Sequence, residues 1–198
     1  IVVAYLENSL KSWPAWRRRH GDHEIPMLLD NIKSVFRDYP VRVVITGHSG
    51  GGSLTFGYLN WSSGIAPDFD RIAFLDSNYA YETTNHLAKL RRWLMVSTNN
   101  HLTVLAYDDA NALLDGKSFV SAAGGTWGRS HAMLHDLGGT FPFSDLTNGT
   151  LRIHTALNGR IQFLLKENPD RKILHTVQVE RNGFIHAMLT GTPLEGKS

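Results

Sequence analysis

Hydrophobic and polar positions along the chain alternate between two patterns, which predict strands and helices in turn. Short runs of β-branched and other apolar residues are typical of buried strands, whereas apolar residues three or four positions apart are typical of amphipathic helices. The predicted strands are 1–6, 41–46, 71–75, 102–106 and 172–179. The predicted helices are 25–36, 53–60, 84–95, 130–137 and 159–166. This alternation predicts an α/β fold with a mostly parallel sheet and helices on both faces.

The length of 198 residues favours a single domain over residues 1–198. No internal repeat, low-complexity segment or linker divides the chain. A long stretch, residues 108–170, separates the last two predicted strands and is interpreted as a lid or binding segment.

Composition and charge exclude several classes of function. A net charge of +2 gives no reason to expect a nucleic-acid partner, and no apolar stretch is long enough to span a membrane, so we expect a soluble protein. The absence of cysteine excludes disulfides, zinc–thiolate sites and a cysteine nucleophile. No metal-binding motif occurs either, so neither a metal nor a cofactor is expected. Compartment and oligomeric state stay open.

One short stretch carries the clearest chemical signal. Residues 47–51 read Gly-His-Ser-Gly-Gly, which fits G-x-S-x-G between a predicted strand and a predicted helix. In this motif a serine occupies a sharp strand-to-helix turn, and small flanking residues avoid clashes with the neighbouring strand and helix. The same glycines fit neither a dinucleotide-binding loop nor a phosphate-binding P-loop, because the third position is Ser49 and no lysine follows them. Ser49 is therefore the predicted nucleophile.

The stretch resembles the nucleophile elbow of the α/β-hydrolase superfamily, and its Gly-His-Ser-Gly-Gly-Gly form is similar to that of lipases, esterases and thioesterase domains. The resemblance covers the motif and the order of elements from residue 1 to about 190. It implies a serine hydrolase that cleaves a small-molecule ester, thioester or amide through an acyl-enzyme. The superfamily order is serine, then acid, then histidine.

A histidine that follows the last strand is therefore expected to be the general base. His186 meets this condition, because it follows predicted strand 172–179 and a turn-like Arg-Asn-Gly. His131, near the presumed lid, is the rival, whereas His175 is placed inside the predicted strand and His48 beside the nucleophile. The remaining histidines have no comparable argument: His20, His23, His86, His101, His135 and His154.

The acid should follow one of the two strands after the serine. Asp76 ends one strand in Leu75-Asp76-Ser77, which is similar to the thioesterase-type arrangement, and it is the predicted acid. Asp108 and Asp109 end the next strand, where many lipases and esterases carry the acid, and they remain alternatives. Each of these carboxylates could instead cap a helix or a turn.

The resemblance also implies one transition-state donor, whereas the pocket residues are candidates from the sequence itself. The backbone N–H of Gly50 would donate to the oxyanion, and His48 would line the elbow. Candidates for the substrate pocket are Tyr79, Trp127 and Arg129, with Trp61 and Tyr81; core packing is the alternative for each of the aromatic residues. Only one predicted strand, 1–6, precedes the strand that leads to the serine, and no loop matches the family's second oxyanion donor. The chain is thus interpreted as a fold without its first strands, either an N-terminally truncated chain or a minimal variant. A non-catalytic binding protein of the same fold is the alternative function.

Overall fold

The computed structural model describes residues 1–121 and 124–196, which form α-helices and strands in alternation. The helices are α1 (Trp13–His20), α2 (Glu24–Ser34), α3 (Gly52–Trp61), α4 (Ala88–Val96), α5 (Gly125–Gly138), α6 (Val177–Glu180) and α7 (Gly183–Leu189). The strands are β1 (Val43–His48), β2 (Phe69–Leu75), β3 (His101–Tyr107), β4 (Leu113–Leu114), β5 (Lys117–Ser118), β6 (Ser144–Asn148), β7 (Leu151–Ala156) and β8 (Ile161–Lys166). A 3₁₀ turn, Ser49–Gly51, leads into α3, and a π-helical turn, Thr83–Leu87, leads into α4.

Six strands form one sheet in the order β1-β2-β3-β8-β7-β6. Strands β1, β2, β3 and β8 are parallel to one another, whereas β7 pairs antiparallel with β8 and β6 pairs antiparallel with β7. The predicted α/β class with a mostly parallel sheet is confirmed. Because the carboxyl ends of parallel strands meet at one edge, the residues that follow β1, β2, β3 and β8 share that edge.

Alternate residues of β2 show that helices cover both faces of the sheet. Ile72 and Phe74 belong to the large apolar core, into which α2, α3, α4 and α5 also pack. Ala73 and Leu75 point to the other face, where they contact Ala187 of α7. No helix in the described ranges is long and apolar enough to cross a bilayer.

Strands β1 to β3 and helices α2 to α5 overlap the predictions, but three predicted elements are wrong. Residues 1–6 are not a strand; Ile1 and Tyr5 are 93% and 86% exposed, since an apolar run becomes a strand only where a neighbouring strand pairs with it. Residues 159–166 include β8 instead of a helix, and residues 172–179 are a loop followed by α6.

The last sheet strands lie inside the stretch interpreted as a lid. Strands β7 and β8 form a hairpin, in which Ala156 faces Ile161. The connection, residues 157–160, contains Asn158 and Gly159, which adopt positive φ (57° and 84°) at low cost, after Leu157 with φ 51°. Of residues 108–170, the part from Ser144 to Lys166 therefore lies largely in the main sheet, whereas α5 packs on the core beside β3.

Candidate active site

The turn at residues 47–52, called here the Ser49 turn, joins β1 to α3. Ser49 has φ 52°, a left-handed conformation that is costly for a residue with a side chain. Its side chain is partly exposed at the carboxyl end of β1, and the following residues begin a helix. The amide of Gly50 lies in that first helical turn, where N–H groups lack intrahelical acceptors and favour negative charge.

Two glycines of the turn are required by space. A Cβ on Gly47 would lie 2.5 Å from the carbonyl carbon of Gly51, and a Cβ on Gly52 would overlap the carbonyl oxygen of Ser77. A Cβ on Gly51 would meet nothing within 4 Å. The expectation that Gly51 must be small is therefore wrong, and Gly52 is the second position at which a side chain cannot be accommodated.

The different surroundings of Gly47 and Gly51 predict different effects of alanine on stability. Gly47→Ala is expected to lower the free energy of unfolding by about 3 kcal/mol or more, because the obstructing atoms are backbone and cannot turn aside. Gly51→Ala, the matched control, is expected to be neutral or to stabilise by up to about 1 kcal/mol, since Gly51 already has helical φ −62°. Urea unfolding of both variants measures the difference, and equal destabilisation would contradict the geometry.

Asp76 directly follows β2, as Ser49 directly follows β1. His48 pairs with Leu75 across β1 and β2, so Ser49 and Asp76 are the next residues on two adjacent parallel strands. Asp76 also has a left-handed backbone, φ 45°, and its amide donates to Leu105 O at 2.7 Å. Its side chain is 1% exposed, so its carboxylate needs partners inside the protein.

One of those partners is His175. The Nδ1 atom of His175 hydrogen-bonds to Oδ2 of Asp76. The imidazole remains 37% exposed, so it extends from the buried carboxylate towards the surface. The hydrogen bond to Asp76 raises the pKa of His175, against the effect of burial, and the charges of Asp76 and Asp109 act in the same direction.

His48 connects His175 to the Ser49 turn. Its Nε2–H donates to the carbonyl oxygen of His175 at 2.8 Å, and the centroids of the two rings are 4.6 Å apart. His48, which directly precedes Ser49, thus holds the backbone of His175 close to the Ser49 turn; its contact with substrate stays a prediction. The Ser49 hydroxyl makes no hydrogen bond within residues 1–121 and 124–196.

The structure does not bring His186 to Asp76. His186 lies on α7, where its Nε2 bonds to Oε1 of Gln162 at 2.9 Å. Gln162 shares a row of the sheet with Thr103 and Ala73. This row lies three residues before Asp76, roughly 10 Å along the strand. The proposed pairing of Asp76 with His186 therefore disagrees with the structure, and burial lowers the pKa of His186 as in an interior histidine.

His186 was predicted because the last strand was expected at residues 172–179. The final strand is β8, which ends at Lys166, and His175 lies in the loop that follows it. Both His175 and His186 follow β8, so the rule that the base follows the last strand admits either, and the hydrogen bond to Asp76 favours His175. Asn168 holds this loop against the end of β3: its side chain donates to Asp108 O at 3.2 Å and to Lys172 O at 2.8 Å.

The two alternative acids have other partners. Asp108 accepts a hydrogen bond from the amide of Asn111 at 2.9 Å, which forms a local turn. Asp109 accepts the amides of Thr126 and Trp127 at 2.7 Å and 3.1 Å and so caps α5. Burial raises the pKa of Asp109, and the two amides oppose that effect. Neither carboxylate contacts a histidine in the described structure, so the geometry favours Asp76.

Of the expected pocket residues, Tyr79 follows β2, and Trp127 and Arg129 lie on α5. Trp127 is partly buried on α5 and packs edge-on against His131, with ring centroids 4.6 Å apart. Arg129 is bound to the protein itself, since its Nη1 donates to Tyr81 O at 3.3 Å. Tyr79 is half-buried, and burial raises the pKa of its hydroxyl.

Helix α1 lies against the first turn of α3. Arg17 donates to the Ser53 hydroxyl at 2.9 Å and forms an ion pair with Asp22. Pro14 faces the Ser49 turn, with its Cδ 3.8 Å from the position of a Cβ on Gly50. Proline has no backbone N–H, so Pro14 cannot supply the second oxyanion donor.

Comparisons with protein-family models, with curated proteins and with solved structures give no match. The interpretation of the site therefore depends on its own geometry.

Proposed function

We propose that this chain is a serine hydrolase of the α/β-hydrolase type, with Ser49 as nucleophile, His175 as base and Asp76 as acid. The observation that carries the proposal is the hydrogen bond between buried Asp76 and His175, beside a serine with left-handed backbone at a strand-to-helix turn. Two adjacent strand ends with positive φ fit a site that holds reactive groups in strained positions.

The mechanism follows from the two ring nitrogens of His175. With Nδ1–H donated to Asp76, Nε2 is left free to accept the proton of the Ser49 hydroxyl. The serine oxygen then bonds to the acyl carbon, and the imidazolium returns its proton to the leaving alcohol, thiol or amine. Water attacks the resulting acyl-enzyme by the same route and releases the acid and free Ser49.

Asp76 and Gly50 stabilise the charges that develop. Asp76 holds the imidazole in the productive tautomer and stabilises the imidazolium without taking its proton. The Gly50 amide donates to the negative oxygen of the tetrahedral intermediate, and such a donor contributes about 2.7–4 kcal/mol. No metal or cofactor is needed for any of these steps.

The proposal is tested by labelling the protein with a fluorophosphonate and mapping the modified peptide by mass spectrometry. We expect modification at Ser49, followed by turnover of at least one member of a panel of short acyl esters, thioesters and amides. A folded protein that takes no label and hydrolyses nothing would instead support a non-catalytic binding role for the same edge of the sheet.

The dependence of activity on pH gives a separate prediction. Activity requires neutral His175, whose pKa is raised above its ordinary 6.5 by Asp76. The acid limb of kcat/KM is therefore expected above pH 6.5, and in Asp76→Asn it is expected at lower pH with kcat reduced about 10⁴-fold. For folding, the raised pKa stabilises the protein below about pH 6.5, and that contribution is lost as pH rises through the pKa of folded His175. An acid limb that Asp76→Asn leaves in place would contradict the pairing.

A further inference from the structure

A single hydroxyl lies between two buried carboxylates at the edge of the sheet. Thr126, in the first turn of α5, hydrogen-bonds through Oγ1 to Oδ1 of Asp76, and the same atom lies 3.3 Å from Oδ2 of Asp109. All three residues are at most 6% exposed. Tyr107 faces the same place, and burial and then the charges of the two aspartates raise its pKa to about 12.

The hydrogen-bonding capacity of each group decides which carboxylate receives the hydroxyl proton. A threonine hydroxyl has one hydrogen to donate. Asp109 already accepts the amides of Thr126 and Trp127, one on each oxygen. Asp76 Oδ2 accepts Nδ1–H of His175, so Oδ1 is the oxygen that still needs a donor. The shorter contact is also the one to Asp76, so the hydroxyl donates there.

We propose that Thr126 is a positioning residue, whose hydroxyl holds the Asp76 carboxylate so that its other oxygen faces Nδ1 of His175. Its effect on catalysis rests on the proposed function, but its effect on the Asp76–His175 hydrogen bond does not. Asp109 completes the arrangement, because it caps α5 and thereby holds Thr126 in place.

The approach of α5 to Asp109 depends on a glycine. Gly125 has φ 66°, and a Cβ there would overlap Oδ2 of Asp109. The Gly-Gly sequence before Thr126 therefore lets the start of the helix lie directly against the carboxylate. The three side chains Asp109, Thr126 and Asp76 form a chain of contacts that links the end of β3, the start of α5 and the end of β2.

Removal of the Thr126 hydroxyl leaves one carboxylate oxygen of Asp76 without a hydrogen-bond donor. In Thr126→Val, Oδ1 of Asp76 would be buried without a donor and close to the negative charge of Asp109. A carboxylate in that position is relieved by turning away or by taking up a proton. Either response weakens its bond to His175, so the pKa of His175 should fall towards its ordinary value.

The test compares Thr126→Val, which keeps the size of the side chain, with Thr126→Ser, which keeps the hydroxyl. In Thr126→Val we expect kcat to fall about 10- to 100-fold with KM little changed, and the acid limb of kcat/KM to move to lower pH. Thr126→Ser should restore both. Thr126→Ala removes the same hydroxyl and replaces the valine variant where that variant does not fold, as judged by thermal unfolding.

NMR titration of the His175 ring gives a readout that needs no enzymatic activity. The pKa of His175 is expected to be lower in Thr126→Val than in the wild type and in Thr126→Ser. An unchanged or raised His175 pKa in Thr126→Val, or a serine variant as impaired as the valine variant, would overturn the positioning role. Failure of the wild type to take the fluorophosphonate would overturn the proposed function alone, because the titration still measures the coupling from Thr126 to His175.

Discussion

Ser49→Ala is expected to abolish both fluorophosphonate labelling and turnover, with kcat reduced by about six orders of magnitude. The nucleophilic oxygen is the atom that bonds to phosphorus in the probe and to the acyl carbon in a substrate, and no neighbouring group can replace it. The fold should be retained, because alanine and serine meet a similar cost at φ 52° and the Ser49 hydroxyl bonds to no described residue.

Ser63→Ala is the matched control. Ser63 is exposed and lies beyond the end of α3, so its replacement should leave labelling and turnover at the wild-type level. Intact-mass spectrometry of labelled protein, together with urea unfolding, separates loss of chemistry from loss of fold. Labelling that survives in Ser49→Ala would show that another residue reacts, and the assignment of the nucleophile would then be wrong.

The part of the fold nearest the serine was predictable because its signals are local. An apolar run followed by glycines and an amphipathic segment defines β1, the Ser49 turn and α3. Strand β2 and the residue after it, Asp76, were predictable from the same kind of apolar run. The strand-end positions then meet at one edge because the strands are parallel, and this needs no knowledge of side-chain contacts.

The carboxyl-terminal third was not predictable in the same way. The apolar residues of 159–166 fit either a helix or a buried strand, since a short apolar run has no decisive period. The Asn158-Gly159 pair was a usable hairpin signal, and it would have identified β8 as the last strand. Residues 172–179 also have strand-like side chains, but Asn168 ties the start of this stretch to Asp108 as a loop.

The other contacts of the site join residues that lie far apart in the sequence, so they were not predictable. Thr126 stands 50 positions from Asp76, and nothing in the sequence around it indicates that its hydroxyl meets a strand-end carboxylate. The capping role of Asp109 was recognised as a possibility, but the choice between Asp76 and Asp109 depends on where α5 begins. That start depends in turn on Gly125 and its positive φ, a tertiary feature of the packed chain.

His175→Ala is expected to have the second large effect. It should lower kcat by about as much as Ser49→Ala does, because the members of such a triad act as a unit. Without the imidazole, Ser49 has no base, and Asp76 loses the partner of its Oδ2 atom. Fluorophosphonate labelling should slow in parallel. Some loss of stability is expected, since the buried carboxylate is left with one fewer donor.

His186→Ala is the control that separates the two histidines. His186 on α7 hydrogen-bonds to Gln162 of β8 and to Thr190, so its removal should lower the thermal stability. At a temperature below unfolding, kcat should stay within a few-fold of the wild type. His175→Gln adds a second arm, because it retains a side-chain amide donor for Asp76 but supplies no base; it should regain stability and stay inactive. If His186→Ala abolishes turnover in a folded protein and His175→Ala does not, the base is His186, and the hydrogen bond between Asp76 and His175 is structural.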